Sequence, residues 1–102
     1  MEITGKELKT KIENGESVIV DFWASFCGPC KVYKPVFEKV AESSSVQMYT
    51  FDVQKYQEYA VELGIRAVPT TKSFTNGVEK FSKSGIISEI ELKSVINNLL
   101  NE

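Results

Sequence analysis

Residues 26–31 read FCGPCK and contain both cysteines of a 102-residue chain that has no histidine. Two thiols separated by Gly28 and Pro29 can clip a metal, staple the backbone or cycle between dithiol and disulfide. A structural zinc takes about four nitrogen or sulfur ligands, so within one chain the metal reading fails on arithmetic. Only a site shared by two chains, each giving both thiols, survives it. A staple across so short a loop stabilises by only about 2 kcal/mol in the chain-entropy model. The spacing favours a redox pair.

The same spacing puts Cys27 where a strand gives way to a helix, so unpaired backbone N–H groups and the positive end of the helix dipole favour an anion there. The thiolate is the species that attacks disulfides. At an unperturbed pKa of about 8.5 only about 3% of a thiol is ionised at pH 7, and about 2 kcal/mol of stabilisation raises that fraction roughly tenfold or more. Cys30, one turn further in, is then placed to resolve a mixed disulfide formed at Cys27. Gly28 and Pro29 keep the turn tight, with Pro29 near the first helical position, where a missing N–H does no harm.

Apolar periodicity supplies the elements that must hold this pair. Thr4 and Glu7 form a capping box ahead of a helix carrying Leu8 and Ile12, stopped at Asn14-Gly15; residues 1–3 leave room only for a very short edge strand. Residues 17–24, SVIVDFWA, read as a strand covered on both faces. Residues 27–42 read as a helix with a broad apolar stripe that Pro35 should kink. A strand over 46–53 and a helix over 55–63, ended by Gly64, follow. Residues 70–75 and 78–82, joined by Asn76-Gly77, read as a hairpin. A second capping box, Ser88 with Glu91, opens a helix carrying Leu92, Val95, Ile96, Leu99 and Leu100. The order is (β)αβαβαββα, an α/β fold with one mixed sheet, parallel crossovers plus a C-terminal antiparallel hairpin, flanked by helices on both faces.

A chain of this length, 42% hydrophobic, suits a single domain over residues 1–102. Its 12 basic and 14 acidic side chains give a net charge of −2, with no basic field for a nucleic-acid backbone and no polybasic stretch for a membrane. MEITGKELK lacks the basic and apolar regions of a secretory signal, and no apolar run approaches the roughly 18 residues of a membrane span. A cytoplasmic protein is expected, and there a disulfide is more often catalytic than structural.

VDFWASFCGPCKVYKPVF, joined with GIRAVPT at 64–70, FTNG at 74–77 and Gly85, resembles the thioredoxin family over nearly the whole chain, in the right order and at about the right spacing. The resemblance implies a protein-disulfide reductase with no metal or organic cofactor, active as a monomer on disulfide-containing proteins. A thioredoxin reductase or another dithiol donor would recharge it. It implies that Cys27 and Cys30 are catalytic, and that Asp21 is a buried acid/base acting through water on Cys30. It makes Pro69 a cis-proline lying against the dithiol, with Trp23, Phe26, Gly28, Pro29, Ala67, Val68 and Gly85 forming the substrate surface. The Gly-Pro pair matches the reducing members. An oxidase or isomerase of the same fold, or an assembly subunit with a secondary redox pair, are the alternatives.

Four departures stand out. Phe26 replaces the family's tryptophan and loses its indole N–H. Ala67 stands where many members have glycine. The strand TTKSFT is unusually polar, with Thr71 and Ser73 expected on one face and Lys72 and Phe74 on the other, and with the Lys72 ammonium snorkelling into water. Thr71 is expected near Asp21, and Thr50 takes the place of a charged neighbour of that aspartate, so its titration is expected to differ from the family's.

Overall fold

A computed structural model describes residues 1–101. The elements are α1 (Gly5–Glu13), β1 (Val18–Trp23), α2 (Gly28–Glu42), β2 (Gln47–Asp52), α3 (Gln57–Glu62), β3 (Thr70–Thr75), β4 (Val78–Ser84) and α4 (Glu89–Leu100). Local chemistry accounts for most boundaries. Thr4 caps α1 by accepting from the Glu7 N–H while the Glu7 carboxylate accepts from the Thr4 N–H, the reciprocal box expected. At α4 only half of the expected box forms. Ser88 accepts from the Glu91 N–H, but the Glu91 carboxylate turns away to the Lys83 ammonium. Helix α2 runs through Pro35 without a break. The β3–β4 turn places both Asn76 (φ 55°) and Gly77 (φ 77°) in the left-handed region, as a tight primed hairpin requires.

The strands form one sheet in the order β2-β1-β3-β4. β1 pairs parallel with β2, while β1–β3 and β3–β4 are antiparallel. The N-terminal strand reduces to one parallel bridge, Glu2 to Thr50. β4 forms the opposite edge and is exposed along nearly its whole length.

Alternation along β1 divides the core. Ile19 faces α2 and α4, packing with Tyr33, Phe37, Val40, Leu92 and Val95. Val18, Val20 and Phe22 face α1 and α3, packing with Leu8, Phe51, Ala60 and Phe74. Helices therefore cover both faces, and every residue of β3 is buried despite its polar sequence. One expectation fails there: Lys72 does not lift its ammonium into water. Its side chain is only 8% exposed and is ion-paired with Glu79 of β4. The stem runs toward the edge of the sheet, where the half-exposed Glu79 carboxylate meets the ammonium and covers it from water.

Candidate active site

β1 ends by delivering Ala24, and Ser25 is pinned beyond it, its backbone N–H and its hydroxyl both donating to Gln54 Oε1 at 3.1 and 2.8 Å. Cys27 is the N-cap of α2, with extended backbone, and its Sγ accepts from the Cys30 N–H at 3.1 Å. The two cysteines form a disulfide with Cα atoms 5.3 Å apart, and both are buried. Gly28 and Pro29 cover the first turn from outside and are exposed.

The Val68–Pro69 peptide is cis. Its loop lies against the dithiol, with the Val68 carbonyl oxygen 3.6 Å from Cys27 Sγ. The Thr70 hydroxyl donates to the Ala67 carbonyl at 2.6 Å, and the Gly85 N–H donates to the Pro69 carbonyl at 2.7 Å. Gly85 adopts φ +92°, a conformation that side chains other than glycine's rarely allow. Phe26 is 75% exposed beside the dithiol and forms one wall of a groove of about 350 Å³. Val53, Val61, Ile65, Ala67 and Val68 continue it, with Gln57 and Arg66 as its polar members. Trp23 packs half-buried against the Ala24, Cys27 and Cys30 cluster, and the Lys34 ammonium stands 5.5 Å from its ring centroid.

Asp21 is fully buried on the α2/α4 face of the sheet, and neither carboxylate oxygen has a hydrogen-bond partner among the described residues. Burial pushes its carboxyl up to about 7, against a downward pull from the Lys34 cation and with an added push from the Glu38 carboxylate. Its neighbours across the sheet are Thr50 on β2 and Thr71 on β3, so both hydroxyl residues stand where the sequence places them. Thr71 is held by Tyr33, hydroxyl to hydroxyl at 2.8 Å.

Sequence reasoning thus anticipates the dithiol, the facing loop and the buried carboxyl, which the fold brings to one end of the sheet. It misses Tyr33, Lys34 and Glu38 as neighbours of Asp21, and it misses the far wall of the groove. Only Tyr33 carried a usable signal, as a hydroxyl in the middle of an otherwise apolar helix stripe.

The chemistry available needs only these sulfurs and a place for a proton: one thiolate opens a disulfide, the second closes the intramolecular one. That makes the chain a protein-disulfide oxidoreductase acting by thiol–disulfide exchange. A sequence profile of the family Thioredoxin matches residues 1–98. The thioredoxin of Mycoplasma genitalium is 37% identical over 94 residues, 91% of this chain and 92% of that one. The thioredoxin of Mycoplasmoides gallisepticum is 38% identical over 98 residues, covering 92% and 96% of the two chains. Among solved structures, Schistosoma mansoni thioredoxin superposes with a TM-score of 0.85 at 30% identity, over 96% of this chain and 93% of that one. The chain belongs to the thioredoxin family.

Proposed function

We propose that the protein works in the reducing direction, as a single domain and a monomer in the cytoplasm, where partner disulfides are kept open by exchange. Cys27 as thiolate attacks a protein disulfide, forming a mixed disulfide and releasing one substrate thiolate. Cys30 then attacks Cys27 Sγ, closing the Cys27–Cys30 disulfide and releasing the second. The substrate gains two electrons and the protein loses two. A thioredoxin reductase or another dithiol donor returns them, and the protein needs no cofactor of its own. Asp21 takes the Cys30 proton through water and passes it on, a role suited to a carboxyl that titrates near neutrality. Substrate lies across Trp23, Phe26, Gly28, Pro29, Ala67, Val68, Pro69 and Gly85, in part through backbone pairing at the cis loop.

The observation that carries this reading is Cys27 at the α2 N-cap, its sulfur receiving the Cys30 N–H. The N–H that meets the sulfur in this form also stabilises a Cys27 thiolate after reduction, which makes Cys27 the attacking sulfur of the exchange, while the reducing direction is supported by the Gly28-Pro29 pair and the family match. Equilibration across a thiol/disulfide redox series tests it. A potential in the strongly reducing range supports a reductase, whereas one in the range of isomerases or oxidants overturns the direction. A Cys27→Ser, Cys30→Ser protein should lose all disulfide-reducing activity; full biological function without both thiols would make binding the primary role.

A further inference from the structure

The wall around Asp21 carries two hydroxyls that disulfide exchange itself does not use. Tyr33, one turn beyond Cys30 on α2, and Thr71 on β3 are both fully buried. Their hydroxyls are 2.8 Å apart and either can donate. Thr71 is the direct cross-strand neighbour of Asp21. In an antiparallel pair such neighbours keep their Cβ atoms about 4.5–5.5 Å apart on one face of the sheet. That face also carries the buried hydroxyls of Thr50 on β2 and Ser73 on β3, among apolar side chains such as Ile19, Met48 and Leu92.

A neutral carboxyl tolerates these surroundings, but a carboxylate with two unpartnered oxygens does not. Each hydroxyl has one hydrogen and two lone pairs. When Tyr33 donates to Thr71, the threonine hydrogen is left over, and rotation about the Cβ–Oγ1 bond turns it toward the neighbouring strand without moving Oγ1 from Tyr33, where an Asp21 carboxylate that swings toward Thr71 accepts it. We propose that Tyr33 and Thr71 form a positioning pair for the ionised state: Tyr33 donates to Thr71 Oγ1, and Thr71 donates to the Asp21 carboxylate whenever Asp21 has given up its proton. The pair touches neither substrate nor sulfur and acts through Asp21. The proposal rests on the reading of Asp21 as the group that exchanges a proton with Cys30.

Other charges act on the same chamber. Lys34 and Glu38 of α2 act on Asp21 directly, and Asp21 and Glu91 both act on Tyr33, Glu91 reaching it from α4 while ion-paired with Lys83 of β4. Across the sheet β2 contributes the uncharged Thr50. Substitutions at Tyr33 and Thr71 leave all these charges in place, so differences among the variants report the hydroxyls.

The test is an NMR titration of the Asp21 carboxyl carbon in the disulfide form, in which neither cysteine titrates. Thr71→Val should raise the midpoint by about 1 pH unit, because a hydrogen bond to a charged group is lost. Thr71→Ser should restore it to within about 0.3 pH unit of the natural protein. Tyr33→Phe should raise it by less than Thr71→Val, since the threonine hydroxyl loses the donor that polarises it. Equal shifts in the valine and serine variants, or no shift in either, overturn the proposal. If Thr71→Val does not fold, an unchanged midpoint in Tyr33→Phe overturns it instead. The pH profile of single-turnover disulfide reduction tells the two layers apart. A moved midpoint with an unmoved profile upholds the hydroxyl pair and removes Asp21 from the proton path.

Discussion

At the scale of single residues, Asp21 governs the pH behaviour. Its carboxyl titrates near 7 when buried, against an ordinary value of 3.8, so between the two the folded protein holds a proton that the unfolded chain releases. The group's stabilising contribution is therefore complete below about 3.8 and is lost as pH rises through about 7. Asp21→Asn cannot ionise and should escape this loss. Urea midpoints of the two proteins should converge near pH 4 and separate above pH 7, the variant being more stable by on the order of a few kcal/mol. Lys34→Gln should raise the Asp21 midpoint and Glu38→Gln should lower it, each by about half a pH unit, since both side chains act from the exposed side of α2. The carboxyl itself was legible in the sequence, as one charge in the apolar run SVIVDFWA. Its neighbours were not. Tyr33 and Thr71 are 38 residues apart, and a tyrosine at core spacing on a helix gives no sign that its hydroxyl has a partner across the sheet.

At the scale of elements, the chain shows where local chemistry specifies structure and where tertiary packing overrides it. The Thr4 box and the Asn76-Gly77 turn are short-range events between residues at most three apart, and both form as read. Glu91 departs from its box because Lys83, distant in sequence, competes for its carboxylate. Thr4→Ala should cost about 1 kcal/mol in chemical denaturation, the usual loss of an N-cap. β3 is the harder case. Its composition suggests a half-exposed strand, yet it is a central one, with β1 on one side and β4 on the other. The register settles the matter for Lys72, whose depth makes Glu79 indispensable while the ammonium remains. Glu79→Ala should therefore destabilise by about 1–2 kcal/mol, less than a fully buried pair because Glu79 is 43% exposed, whereas Lys72→Met should stay within about 1 kcal/mol of the natural protein or exceed it. Equal losses in the two variants would contradict this account.

At the scale of the whole molecule, one end of the sheet carries the dithiol, the cis loop and the groove walled by Phe26 and Val61. The dithiol and loop were legible because each has a compact signature in sequence. The groove was not, since its walls come from the Cys27 loop, α3 and the segment before Pro69, and only folding assembles them. Val61, 75% exposed, should matter for large substrates more than for small ones. Val61→Glu should raise KM for a protein disulfide roughly threefold or more while exchange with a small aromatic disulfide changes little. Equal effects on both would place the groove outside substrate recognition. The far rim of the sheet has a different consequence. β4 offers open backbone along VEKFSKS, yet Glu79, Lys80 and Lys83 stud it, so a second strand pairing edge to edge would have to strip water from charged side chains, and the open rim is guarded by its own composition.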